Sequence, residues 1–551
     1  MAEVIRTNGL SVRLREKTLL DGLDLVLEKG RILGITGESG SGKSLTALAL
    51  MDLLPQPLER HGEILLEGQR IDRADDNAMS HLRGRRMALV FQEPMTALNP
   101  LLPIGEQVAE VFRQHRRMDR TDARRKAGAV LERVGLGREI APPDRLPHEL
   151  SGGQRQRVVI AMAIALGPAL LIADEPTTSL DVTTQKAILD LLRSLVMEDG
   201  MAMILITHDL AVIAETADDI LLLKDGKPLA TGPVQLLARP SSIPELEALI
   251  TASSGPAARP AGSAMADTPP LLEVREVSHG YPSSRRRNSA SAEAREKVLT
   301  DVSFTITRGE TVGLVGRSGC GKTTLSQLVL GLAAPQSGQI RLAGERLDAR
   351  HVPRRSRRQI SAVFQDPFGS FNPRRPVAWL VAEPLHLLDP APDHGRKRQL
   401  ALEALEAVGL DASFLDRLIH ECSGGQRQRI AFARALVTRP SLIVLDEPVS
   451  ALDAPIRQRI LALMAETAQA FDIATLFISH DLSVVRSVCP RVMVLADGRL
   501  VEDGETETVF THPGHPETAR LLAAAPDLTS ALARLEKGRR GQRGDKTHAE
   551  R

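Results

Sequence analysis

The sequence predicts an α/β protein built twice over, and three observations carry that prediction. Short apolar runs alternate with helix-like stretches, a glycine-rich turn sits between one of each, and five short motifs recur in the same order along the 551-residue chain. The lysines of the two glycine-rich turns, Lys43 and Lys322, lie 279 residues apart. Three later pairs, Ser151 with Ser423, Glu175 with Glu447 and His208 with His480, are each 272 apart. Within each half the serine precedes the glutamate by 24 residues and the glutamate precedes the histidine by 33. A spacing kept to the residue marks one folding unit present in two copies. The expected division is a first domain over 1–250, a flexible linker over 251–270, a second domain over 271–526 and a basic, unstructured tail over 527–551.

In the first copy Arg31 to Thr36 reads as a short apolar strand, followed by the glycine-rich turn and a helical run from Lys43 to Leu54. Met87 to Phe91 is a second strand. Gln107 to Val134 is polar, Arg-rich and helix-like, as an inserted helical subdomain would be. The charge-free run Val158 to Ala173 spans 16 residues and is interrupted by Gly167-Pro168. That is short of the roughly 18 to 20 residues needed to cross a bilayer. It reads as a buried helix followed by a buried strand, Leu170 to Ala173. Val182 to Leu195 is helical, and Ala202 to Thr207 is again an apolar strand. Such alternation implies a largely parallel sheet covered by helices, with chemistry at the carboxyl ends of its strands.

Composition narrows the class. Lys plus Arg is 70 against 69 for Asp plus Glu, a net charge of +1, so no global field draws the chain onto nucleic acid or acidic lipid. With 42% hydrophobic and 25% charged residues, a buried core is expected and wholesale disorder is not. Cys320, Cys422 and Cys489 form no CxxC pair, which argues against a disulfide framework, a zinc ribbon or an iron–sulfur cluster and fits a reducing compartment. Early charges at Glu3, Arg6 and Arg13 do not read as a secretory signal. Any work at a membrane would need another polypeptide to supply the span.

The linker Thr251 to Pro270 is rich in Ala, Pro, Ser and Gly and reads as a flexible tether. Within it, Met265 begins a segment that looks like the start of a second protein, as expected of two fused genes. Pro282 to Lys297 and the tail from Lys537 read as solvated surface, with contact to anionic lipid or RNA as the alternative.

The residues suited to chemistry cluster in the repeated motifs. GESGSGKS, Gly37 to Ser44, and GRSGCGKT, Gly316 to Thr323, match G-x-x-x-x-G-K-[ST] between a strand and a helix. Backbone N–H groups of Gly37, Ser39, Gly40, Ser41 and Gly42, and of Gly316, Ser318, Gly319, Cys320 and Gly321, can wrap phosphates. Lys43 and Lys322 can reach the outer phosphates, Ser44 and Thr323 can ligate magnesium, and Thr324 lies alongside. ALLIADEP and SLIVLDEP each end an apolar strand in two carboxylates. Asp174 and Asp446 can enter a magnesium shell, while Glu175 and Glu447 can orient or deprotonate an attacking water. In LSGGQRQR and CSGGQRQR, a serine and two glycines before a helix offer a further phosphate site.

Those last motifs, Leu150 to Arg157 and Cys422 to Arg429, resemble the signature of ATP-binding cassette ATPases, and each half resembles that family over nearly its whole length. The resemblance implies two tandem cassettes, each with a parallel core sheet, an antiparallel β subdomain and a helical subdomain, and ATP with Mg2+ as ligands. It implies a signature used in trans: Lys43, Asp174 and Glu175 with Ser423, Gly425 and Gln426, and Lys322, Asp446 and Glu447 with Ser151, Gly153 and Gln154. Gln92 in LVFQEP and Gln365 in AVFQDP resemble the family's Q-loop, which touches magnesium and water. His208 and His480 resemble its switch histidine, and Asp181 and Asp453 its D-loop. Tyr281, the one tyrosine, stands where the family stacks an aromatic on adenine, whereas the first copy offers Leu14. Cys422 replaces the usual leucine. Both sites are expected to hydrolyse ATP.

FQEPMTALNP, FQDPFGSFNP and HPGHPETARLLAAAP resemble the oligopeptide, dipeptide and nickel importer branch, without that branch's cysteine cluster. The resemblance therefore implies two integral-membrane permeases as partners, an extracytoplasmic solute-binding protein acting indirectly, and a peripheral position on the cytoplasmic face of the plasma membrane. Two cassettes in one chain are expected to pair with each other. Peptide is the expected solute and nickel or a nickel chelate the alternative. A soluble tandem-cassette factor on ribosome or DNA is the reading from another class; the short proline-rich linker speaks against it, and no specific nucleic acid is expected.

Overall fold

The computed structural model describes residues 2–91, 97–178, 180–238, 243–254, 269–282, 295–347, 352–366, 369–450 and 452–537. Gln92, Met265, most of the linker, the arginines after Pro282 and the last residues of the tail lie outside the described residues. Contacts divide the chain into two units, Met1–Leu180 with Thr184–Ser254 and Pro526–Arg551, and Gly255–Ala525 with Asp181–Thr183.

In the first unit, β1 (Glu3–Leu14), β2 (Lys17–Glu28), β4 (Leu58–Leu66) and β5 (Gln69–Arg70) form an antiparallel sheet in the order β2-β1-β4-β5. A second sheet contains β3 (Ile32–Gly37), β6 (Met87–Val90), β7 (Leu170–Asp174), β8 (Ala202–Ile206), β9 (Asp219–Lys224) and β10 (Lys227–Pro233) in the order β10-β9-β3-β8-β7-β6. Its pairings are parallel except β9 with β10. Both faces of β7 and β8 are covered, which is why they read as unbroken apolar runs rather than as alternating ones. Leu170, Ile172, Ala202 and Ile204 join the core beneath the antiparallel sheet. Leu171, Ala173, Met203 and Leu205 join the core beneath the helices.

The second unit repeats this plan. Its antiparallel sheet comprises β11 (Leu272–Pro282), β12 (Arg295–Ile306), β14 (Ser337–Leu342) and β15 (Glu345–Arg346), ordered β12-β11-β14-β15. Its main sheet comprises β13 (Thr311–Val315), β16 (Ile360–Val363), β17 (Leu442–Asp446), β18 (Ala474–Ile478), β19 (Arg491–Ala496) and β20 (Arg499–Glu505), ordered β16-β17-β18-β13-β19-β20. Because β3, β7 and β8 run parallel, as do β13, β17 and β18, each phosphate loop, carboxylate pair and histidine emerges at one edge of its sheet.

Local differences from the sequence reading have local causes. The helix after the first phosphate loop runs Lys43–Leu50 rather than to Leu54, because Asp52 turns into the left-handed region at φ 55° and Pro55 cannot continue a helix. The run Gln107 to Val134 is two helices, Ile104–Arg116 and Arg120–Arg133, broken at Arg117 (φ 51°) and restarted by Asp119, whose carboxylate accepts from Thr121 and Asp122 N–H. Residues 528–537, read from composition as unstructured tail, are helical. Asp527 caps them by accepting from Thr529 N–H at 3.0 Å, and Leu528 and Ala531 are buried in the helical-side core of the first unit. Arg534 also pairs with Glu215 there at 2.7 Å. No helix among the described residues is long and apolar enough to cross a membrane.

Candidate active site

Each phosphate loop is shaped by a glycine that no other residue can replace without distortion. Gly37 ends β3 at φ 151°, where a Cβ would lie 2.1 Å from the Leu223 carbonyl oxygen and 2.7 Å from Ser41 Oγ. Gly316 ends the second loop's strand at φ 157°, with a Cβ 2.2 Å from the Leu495 oxygen and 2.8 Å from Cys320 Sγ. The chain then turns through Gly40 and Gly42, or Gly319 and Gly321, all at positive φ, and enters helix Lys43–Leu50 or Lys322–Val329. Lys43 Nζ donates to the carbonyls of Gly37 and Glu38, both at 2.9 Å. Lys322 Nζ donates to Gly316 at 2.7 Å and Arg317 at 3.0 Å. Both ammonium groups are thus held over a loop of N–H donors at a helix N-terminus, an arrangement that receives an anion.

The carboxylates stand opposite. Glu175 and Glu447 adopt φ 46° and 50°, uncommon for a side chain of this kind. They are held there because their N–H groups donate to Ile206 and Ile478 carbonyls, each at 2.9 Å. Glu175 Oε1 meets His208 Nδ1 at 3.1 Å, and its Oε2 accepts from Thr178 Oγ1 at 2.9 Å. Glu447 Oε1 meets His480 Nδ1 at 2.9 Å, and its Oε2 accepts from Gln365 Nε2 at 2.5 Å. The structure therefore brings glutamate and histidine together in both units, and glutamine with them in the second. Gln92, the first unit's counterpart, lies outside the described residues.

The electrostatics separate the two carboxylates of each pair. Burial, then the neighbouring Glu447 charge, pushes Asp446 up to about 6. Asp174 is raised by burial against a hydrogen bond from the Ser44 hydroxyl. Burial would also raise Glu175 and Glu447, but the hydrogen bonds from His208 and His480 outweigh it and hold both low. Burial would lower His480, and Glu447 reverses that and raises it. One member of each pair is thus ionised and aimed by a histidine. The other is a costly buried charge, and Asp174 Oδ1 has no hydrogen-bond partner among the described residues. A buried, unpartnered carboxylate oxygen beside a hydroxyl and a phosphate loop fits a divalent cation.

The family model for ABC transporters matches residues 20–178 and 299–450. The glutathione import ATP-binding protein GsiA of Escherichia coli strain K12 is 41% identical over 92% of this chain and 86% of its own length. That of Salmonella choleraesuis strain SC-B67 is 38% identical over 95% of this chain and 90% of its own. The one from Pectobacterium atrosepticum is 39% identical over 95% and 89%. The chain belongs to the ABC transporter family. It is a tandem-cassette ATPase of the peptide-importer type, and these relatives set aside the soluble factor on ribosome or DNA.

Other parts of the cassettes explain their motifs. Ser151 and Ser423 cap the helices Gly152–Ile164 and Gly424–Leu436. Each hydroxyl accepts from the Gln154 or Gln426 N–H, at 3.3 and 3.4 Å, and each glutamine side chain accepts from the serine N–H in return, at 3.0 and 2.9 Å. Both serines are exposed, while Gly153 and Gly425 are buried. Tyr281 is half-exposed, with its hydroxyl 3.4 Å from Thr324 Oγ1 and 3.3 Å from Gln327 Oε1, beside the helix that follows the second phosphate loop. Leu14, its counterpart, ends β1.

Sequence reasoning missed two kinds of contributor. Thr178, three residues after Glu175, fixes the carboxylate by hydrogen bond, and its counterpart Ser450 instead donates to the Glu447 carbonyl at 3.3 Å. Asp209 and Asp481, directly after the histidines, cap the helices Leu210–Thr216 and Leu482–Val488 by accepting from two N–H groups each. The second signal was legible, an aspartate before an apolar run. The first was not, because it depends on the αL turn at Glu175.

Proposed function

We propose that this ATPase drives uptake of a short peptide through two separate integral-membrane permeases, working peripherally on the cytoplasmic face of the plasma membrane. The observation that carries the reading is the glutamate–histidine pair opposite a phosphate-loop lysine, present in both cassettes. Loop N–H groups and Lys43 or Lys322 bind the phosphates of ATP. Glu175 or Glu447, ionised and oriented, takes the proton of the attacking water on a carboxylate oxygen. His208 or His480 holds that carboxylate and faces the outer phosphate. Ser44 and Asp174 with Gln92, or Thr323 and Asp446 with Gln365, would hold Mg2+, whose positive charge would screen the phosphates. Tyr281 stacks on adenine in the second cassette, and Leu14 gives an aliphatic contact in the first. The two cassettes pair, each exposed signature serine serving the other's nucleotide, and ATP binding and hydrolysis alternate the paired state.

Relatives of this chain import glutathione, a tripeptide, which supports peptide over nickel as the solute. An extracytoplasmic solute-binding protein would deliver it to the permeases. Affinity purification of the tagged chain from gently solubilised membranes tests the partner assignment, with glutathione-stimulated ATP turnover of the recovered complex as the second readout. Two multi-span permeases and such stimulation are expected. Ribosomes or DNA without a membrane protein would overturn the transport reading.

A further inference from the structure

The second cassette contains a charged link that the motifs do not include. Helix Ala454–Ala470 starts at Asp453, whose carboxylate accepts from Ile456 N–H at 3.1 Å. One turn into it, Arg457 N–H donates to the Asp453 carbonyl at 2.8 Å. Its guanidinium donates from Nη1 to Asp481 Oδ2 at 3.1 Å, across to the turn after β18. Both side chains are largely shielded, Arg457 at 21% and Asp481 at 32% exposure, so this pair is not an ordinary solvated surface bridge. Asp481 uses its other oxygen to cap helix Leu482–Val488, accepting from Ser483 N–H at 2.9 Å and Val484 N–H at 3.3 Å. Asp481 is bonded directly to His480, whose ring meets Glu447 at 2.9 Å. A rigid path thus runs from the first turn of the helix at Asp453 through Arg457 and Asp481 to His480. In the first cassette the residue four positions after Asp181 is Gln185, which carries no charge.

We propose that Arg457 is a positioning residue for His480, fixing the histidine against Glu447 by clamping Asp481 to the helix that begins at Asp453. The proposal rests on the reading of Glu447 and His480 as a hydrolytic pair. Arg457 acts through the geometry of this clamp. The groups that face His480 are Glu447 from the turn after β17, Lys322 from the phosphate loop and the adjoining Asp481, whose charge Arg457 balances from the adjacent helix. Without the guanidinium, Asp481 is released from the helix, His480 loses its fixed contact with Glu447, and the imidazolium that Glu447 favours is weakened.

The test is histidine titration in the nucleotide-free full-length chain carrying 13C-labelled histidine, with the His480 and His208 signals assigned by their loss in His480→Gln and His208→Gln. Arg457→Gln is expected to move the His480 midpoint downward by about half a pH unit or more, as the loosened imidazole loses the Glu447 contact that raises it. His208 should not move, and Arg457→Lys should keep most of the original midpoint. Steady-state ATP turnover of Arg457→Gln should fall at least threefold in kcat with KM little changed. Asp481→Asn, which keeps a cap acceptor, should remove the sensitivity, so that adding Arg457→Gln changes nothing further. An unmoved His480, or equal movement of both histidines, overturns the proposal. Should Arg457→Gln fail to fold, the Arg457→Lys and Asp481→Asn chains carry the same comparison. Undiminished turnover by the Glu175→Gln, Glu447→Gln chain would instead overturn the hydrolytic reading, while the titration would still report on Arg457.

Discussion

Asp446 is the residue at which the proposed function costs stability, and the cost can be measured. Its ordinary value is 3.8 and the folded protein pushes it to about 6, chiefly by burial and secondly through Glu447. A raised acid favours the protonated form in the native state, so the penalty is absent below about pH 3.8, grows between 3.8 and 6, and is complete above 6. At 1.36 kcal/mol for each pH unit, the fully developed penalty is about 3 kcal/mol. Asp446→Asn should therefore stabilise the metal-free second unit by about 2 to 3 kcal/mol at pH 8, or about 5 to 10 °C in melting temperature, and by nothing near pH 4. The chain's single tryptophan, Trp379, belongs to that unit and stacks under Arg375 at 5.0 Å, so its fluorescence reports the unit's unfolding selectively. The assay is thermal unfolding in chelator from pH 4 to pH 8, repeated with MgATP. Wild type should gain stability from MgATP at this site and the asparagine variant should not. An asparagine variant less stable than wild type at pH 8, or a difference that does not depend on pH, would refute the electrostatic argument.

Further outcomes follow from the same contacts. Gly37→Ala and Gly316→Ala drive a methyl against the Leu223 and Leu495 carbonyl oxygens, at 2.1 and 2.2 Å. Each should remove one of the two nucleotides bound per chain, measured by equilibrium binding of a fluorescent ATP analogue. Glu175→Gln with Glu447→Gln should retain ATP binding and lower turnover by about 10² to 10⁴, and rapid phosphate release from this chain would contradict the assignment of the base. Leu528→Asp places a charge in the core of the first unit, where Leu528 is 3% exposed. It should cost about 3 kcal/mol or more, read as faster hydrogen exchange in helix Leu210–Thr216. Unchanged exchange would show that the C-terminal helix is dispensable.

The strands were legible because β7 and β8 are buried on both faces, so that local composition alone marks them. The phosphate loops were legible because the required geometry leaves glycine no substitute at Gly37 and Gly316. Most of what escaped was non-local. The helix at 528–537 carries Leu528, Ala531, Leu532 and Leu535 at helical spacing behind an Asp527 cap, yet the basic residues that follow dominate the composition of the tail. Its packing partner belongs to a segment some three hundred residues earlier, near Glu215. No pattern within a sequence window reports such a contact. The Arg457–Asp481 link is of the same kind, whereas the Thr178–Glu175 bond is local and escaped because it depends on the αL turn at Glu175.

The duplication also makes the chain its own control. Both cassettes keep the phosphate-loop lysine, hold the signature serine, aspartate, glutamate and histidine at matched spacing, and place the glutamate in the αL region against its histidine. The differences fall one step away from those groups: Ser41 against Cys320 in the loop, Leu14 against Tyr281 at the end of the antiparallel strand, Thr178 against Ser450 behind the glutamate, and Gln185 against Arg457 behind the histidine. A change in a reacting group would abolish a site, whereas a change in a group that holds it alters the precision with which it is held. Two sites with the same reacting groups and different supports are expected to share a chemical step and to differ in rate and in pH response.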